Sequence, residues 1–132
     1  MRQIVRLLVI VLCLVLSENV LADVAENGTG TAVASIGSGT SIDLTTFTVD
    51  AGSNQCLFVV LSLTVDVTGT TAVNWDQDGV PQAMTSIHTF FGSGLYVEIF
   101  RLLAPTAGNK KLHATWTGAA GGDLAAINFS GA

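Results

Sequence analysis

The stretch "NWDQDG", residues 74–79, gathers the densest polar chemistry of the chain. Asp76 and Asp78 stand one residue apart, with Gly79 directly behind them. Two carboxylates at this spacing begin a calcium loop, since hard cations want clustered oxygen ligands. An EF-hand also needs further ligands, a glutamate at position twelve and flanking helices. Here Val80 and Pro81 follow instead, so the main expectation is a structural turn, with Asp76 and Asp78 as the weaker metal candidates. No cofactor is expected, and calcium is kept as the lesser alternative. Asp-Gly favours a two-residue hairpin turn with positive φ at both residues.

The remaining reactive side chains are scattered. His88 and His113 lie far apart, and neither has ligand spacing to another histidine, cysteine or carboxylate. Glu98 sits in an apolar run, where a glycosidase pairing with a distant carboxylate would form only through the fold; a local partner is the plainer reading. Cys56 begins "CLFVVL" and reads as a small buried apolar residue. No nucleophile elbow, phosphate loop or dinucleotide fingerprint is present, so no catalytic residue is expected. Trp75 and Trp116 share faces with aliphatic residues and belong to the core. Phe90, Phe91 and Tyr96, around "GSG", are the candidates for an exposed aromatic ligand-binding patch. Two sequons, "NGT" at Asn27 and "NFS" at Asn128, would matter only in a glycosylating host.

The elements that must position these residues are strands. "CLFVVLSLTVDV" places Leu57, Val59, Leu61, Leu63, Val65 and Val67 at alternate positions, so one face is a continuous apolar stripe. "LTTFTV" aligns Thr45, Phe47 and Val49. "AVNW" pairs Val73 with Trp75. Pro81 makes the next strand an edge, or one that starts there with a bulge, and the parity change between Met84 and Ile87 also indicates a bulge. "LYVEIFRLL" is largely apolar on both faces, with Glu98 and Arg101 on opposite ones. "KKLHATWTG" turns Leu112, Ala114 and Trp116 inward and His113, Thr115 and Thr117 outward. "DLAAINFSG" sets Ala125, Ile127 and Phe129 on one face and is apolar on both. About seven short strands with regular turns predict an all-β, antiparallel β-sandwich, jelly-roll or Ig-like.

The first 22 residues differ from the rest. Arg2 and Arg6 precede an apolar run at residues 7–16, and Val20 and Ala22 supply a small-residue cleavage end. That is the pattern of a secretory signal peptide helix, cleaved to leave Asp23 first. Ten apolar residues fall short of the roughly 20 a spanning helix needs, so membrane contact is expected only through this segment before cleavage. Residues 23–41 read as a Gly/Ser/Thr-rich leader with one weak strand near residues 32–36, and residues 42–132 as the sandwich domain. The chain is 49% hydrophobic with 14 glycines and 11% charged residues. Residues 23–132 hold three basic and nine acidic side chains, a net charge of −6, which repels phosphate backbones and excludes nucleic acid as a partner. One cysteine remains there, so no disulfide within the chain supports the fold.

Residues 54–63 ("NQCLFVVLSL"), 97–108 ("VEIFRLLAPTAG"), 112–118 ("LHATWTG") and 125–131 ("AAINFSG") occur in an order that resembles β-sandwich modules of secreted and surface-exposed bacterial proteins. The resemblance implies a secreted or cell-surface location and no family-wide catalytic residue. It also implies strands beyond "FSG", which leaves open whether the domain is complete at Ala132. The function expected is a non-enzymatic structural or adhesive subunit of a surface layer, filament or matrix. A carbohydrate-binding module, with polysaccharide as partner, is the alternative, and a β-sandwich hydrolase comes third. The final strand carries neither proline nor lysine, so self-association through edge strands is expected. The segment before Ser41 would cover that edge, within the chain or from a neighbour.

Overall fold

The computed structural model describes residues 24–64 and 71–131. The expected signal segment, Asp23, Val65, Asp66 and Val67 lie outside them. Seven strands and no helix are present among the described residues: β1 (Ala25–Val49), β2 (Cys56–Leu63), β3 (Ala72–Trp75), β4 (Gln82–Ala83), β5 (Thr85–Gly92), β6 (Leu95–Leu103) and β7 (Gly108–Ser130). All pairings are antiparallel, in the order β4-β3-β7-β2-β6-β5, with β1 also on β7. The single sheet is nearly closed into a barrel.

The fold is organised by its two longest strands. β1 runs antiparallel along all of β7, from Ala25 opposite Ser130 to Val49 opposite Gly108. On the other side of β7, β3 pairs with residues 112–115 and β2 with residues 122–129. β7 therefore belongs to two half-sheets: β4-β3-β7-β1 at its start, and β5-β6-β2-β7-β1 at its end. The bend between them falls at glycines. Gly118 has φ +88°, and a Cβ on Gly121 would lie 2.7 Å from the Gly37 carbonyl oxygen of β1. Only a residue without a side chain lets the two backbones pass this closely. The register shifts of β1 between Ile36 and Ser41 lie at the same bend, where bulges add curvature.

Residues 24–41 are thus not a loose leader. Residues 25–41 form the first part of β1 and cover the final strand from within the chain, so β7 has partners on both sides. Among the described residues, the free ladder sides belong to β1, to the two-residue β4 behind Pro81, and to β5.

Alternation places the core. Leu57, Val59, Leu61 and Leu63 are fully buried, as are Val73, Trp75, Leu112, Ala114 and Leu124 to within 2%. Phe47 meets Trp75 edge-on with ring centroids 6.0 Å apart, and the Trp75 indole N–H donates to the Thr106 carbonyl. β1 changes parity on its way: Ile42 and Leu44 point inward, then Phe47 and Val49, with a register shift between. Thr45, expected beside Phe47, is exposed. The expected bulge in β5 lies between Ser86 and His88.

Candidate functional site

The "DQDG" loop is a six-residue connection, since Trp75 pairs with Gln82. Its positive φ is at Asp76, at +59°, and the Gly79 amide donates to the Asp76 carbonyl. The turn is therefore built over Gln77 and Asp78 rather than as the expected two-residue hairpin at Asp78 and Gly79. An aspartate tolerates this left-handed backbone better than most residues do. Lys110 Nζ lies 2.5 Å from Asp76 Oδ2, and Lys111 Nζ lies 2.7 Å from Asp78 Oδ1. The Lys110 hydrogen bond holds the Asp76 carboxyl below its usual range, and Asp78 pushes Lys111 upward. A cation seeking both carboxylates must displace two ammonium groups. The charged network continues on the outer surface, where His113 Nδ1 lies 2.5 Å from Asp43 Oδ1.

Glu98 is buried on the inner face of β6. The Tyr96 hydroxyl donates to its Oε2 at 2.6 Å, and the Thr71 hydroxyl donates to the same atom. Burial, then the bond to Glu98, pushes the Tyr96 phenol up. Thr71 precedes β3, so Glu98 ties the two half-sheets together, as a buried carboxylate held by hydroxyl donors can.

The three aromatic candidates are not brought together. Phe90 and Phe91 are 56% and 65% exposed, but as neighbours on one strand they face opposite sides. Tyr96 is 8% exposed and spent on Glu98. Asn128 is fully buried and donates to Asn27 Oδ1, which also accepts the Asp50 amide. The folded chain presents neither sequon as a free surface asparagine. Cys56 is 4% exposed, and burial pushes its thiol up, opposed in part by Arg101.

The outer face of the half-sheet β5-β6-β2-β7-β1 is the unexpected surface. Across the strands, Ile99, Val60, Ala125 and Val33 stand in one row, followed by Arg101, Phe58 and Ile127 in the next. Val33 is 60%, Val60 36% and Leu103 62% exposed. Phe58 packs edge-on against Phe129, and an open cavity of about 530 Å³ near Cys56, Phe58, Arg101 and Leu103 indents this face. Its signal was in the sequence: residues 124–127 are apolar at both parities, and residues 95–100 are so apart from Glu98. Only the fold shows that the second set lies outside.

No family model and no curated protein matches the chain. Solved structures do. A lipase of Bacillus licheniformis, BlEst2, in its propeptide form, superposes with a TM-score of 0.51 at 16% identity, over 76% of this chain. The chain spans only 22% of that lipase chain. A structure of FlhE covers 81% of this chain and 97% of its own, with a TM-score of 0.30 and 10% identity. The first likeness concerns the fold alone.

Proposed function

We propose that this protein is a non-catalytic contact module, a structural or adhesive subunit of a secreted surface layer, filament or matrix. The observation that supports the reading is the apolar outer face. Two exposed β-branched residues, Val33 and Val60, share a cross-strand row there with Ile99 and Ala125. Contiguous apolar patches on soluble monomers rarely exceed a few hundred Å² unless they meet something. On this reading the two half-sheets would take the part of the two layers of a β-sandwich. Self-association through strand edges would use β4, β5 or the outer side of β1, because β7 is paired on both sides. The alternative, polysaccharide binding, draws support from the exposure of Phe90 and Phe91, since aromatic faces stack on sugars. The two readings separate on one pair of measurements. A contact module forms assemblies visible by electron microscopy without carbohydrate. Saturable retention on insoluble polysaccharide, lost in Phe90→Ala or Phe91→Ala, would decide for the alternative. A secreted protein also has an intact mass that begins at Asp23.

A further inference from the structure

We infer that the apolar outer face is covered by a second copy of this chain, packed face to face about a two-fold axis over Val60. The inference rests on the contact-module reading and names its partner.

Size comes first. Five strands about 4.8 Å apart and eight residues at about 3.3 Å each make a face of up to roughly 650 Å² per copy. Two copies would remove up to about 1,300 Å² from water, inside the range of roughly 1,200–2,000 Å² typical of specific interfaces. The composition fits the core of such a contact, with Phe58, Val60, Ile99, Ala125 and Ile127 grouped around its centre.

Charge selects the partner. The chain carries a net charge of −5, so most approaches of one copy to another are repulsive. On this face the central charges are opposite and symmetrically placed. Arg101 pairs with Phe58, two residues before Val60 and one strand to one side. Asp123 pairs with Ser62, two residues after Val60 and one strand to the other side. Val60 is the midpoint between them. A two-fold axis lying in the interface over Val60, perpendicular to the line joining the two charges, sets Arg101 of each copy on Asp123 of the other. An isologous interface requires this reciprocity. Both side chains are exposed. Asp123 accepts one hydrogen bond, from the Ser35 hydroxyl, and Arg101 makes no ion pair among the described residues. Glu26, opposite Phe129, lies at the margin of the face.

The test is sedimentation velocity on the full chain over about 1–100 µM, the concentrations at which the weaker interfaces of this size dissociate. The wild type is expected to dimerise. Arg101→Asp and Asp123→Arg each place like charges opposite one another twice, and each should weaken the dimer by roughly tenfold or more. An equimolar mixture of the two variants restores opposite charges at both positions and should form a heterodimer of wild-type affinity. Unchanged circular dichroism shows that the variants remain folded. A wild type that stays monomeric overturns the inference and leaves the face to residues 1–23 or to another protein. A dimer insensitive to both reversals, or a mixture no tighter than its components, overturns it as well. Assemblies or surface attachment that persist in Arg101→Asp would reject this interface and leave the contact function standing. A dimer without either would reject the function and leave the interface.

Discussion

One strand presents two different surfaces. Along its inner side β7 is mostly apolar: Leu112, Ala114, Trp116, Ala120, Leu124 and Ala126 are all buried, followed near its end by the buried, hydrogen-bonded Asn128. Its outer side changes character at the glycine bend. Before it stand Lys111, His113, Thr115 and Thr117, with Asp43 and Asn74 as cross-strand neighbours of His113. After it stand Asp123, Ala125, Ile127 and Phe129, flanked by Val60, Phe58 and Val33. The inner side answers to the core, which both half-sheets share. The outer side answers to what lies beyond the chain: water and ion pairs on one half, and on the other an exposed apolar row for which a second copy is proposed above.

Removing the shared inner side should cost most and should cost both halves alike. Leu112→Ala and Leu124→Ala each leave a cavity under a fully buried side chain, so each is expected to lose about 2–5 kcal/mol by urea unfolding. A loss confined to one half would show that the halves do not share a core.

The bend that separates the surfaces is the next target. Gly121→Ala drives a Cβ against the Gly37 carbonyl, and overpacking of this kind costs about 1–3 kcal/mol. The melting temperature should fall clearly. The same substitution at Gly37, where a Cβ meets nothing within 4 Å, should be tolerated, and equal effects would remove the close approach as the reason for glycine.

The charged half can be separated from the apolar half by pH. Asp76 is held below its unfolded value by Lys110, so it adds stability above the unfolded pKa of about 3.9. That contribution is lost as pH falls through the lower folded value. Lys111 is raised by Asp78, so its contribution holds below an unfolded pKa of about 10.4 and is lost as pH rises through the higher folded value. Asp76→Asn should lower stability near neutrality only slightly, as for a pair close to the surface. It should also flatten the acid limb of the unfolding curve. An unchanged acid limb would count against the Asp76–Lys110 pair.

The smallest effect on folding is expected from the outer faces themselves. Val60→Lys and Thr115→Lys, on the apolar and polar halves, should each change monomer stability by about 0.5 kcal/mol or less. Only Val60→Lys should abolish self-association by sedimentation. Equal behaviour of the two would erase the contrast between the halves.

Much of the fold was legible because a strand's period of two is set by covalent geometry. Leu57, Val59, Leu61 and Leu63 alternate in the sequence and line the core together. Leu112, Ala114 and Trp116 do likewise, and Pro81 marks an edge because it lacks an N–H donor. The parity switch of β1 between Leu44 and Phe47 was passed over, although Ile42, Leu44, Phe47 and Val49 carry the same kind of signal as Met84 and Ile87. The site was less legible still. Tyr96 looked like a surface aromatic beside a glycine hairpin, but it turns inward to a carboxylate that also accepts from Thr71, just before β3. The two lysines were visible as a pair, yet nothing local points them at Asp76 and Asp78.

The sequence by itself determined an all-β chain and its inward stripes, since each follows from residue type and from spacing within one strand. The tertiary structure alone decided which apolar residues stay outside. Where Ala125 and Ile127 follow Leu124 and Ala126, both faces of β7 are apolar, and periodicity cannot say which one is buried. The Gly-rich bend and the cover of β1 settle it, because they curl the sheet around the even-numbered side and turn the odd-numbered one outward.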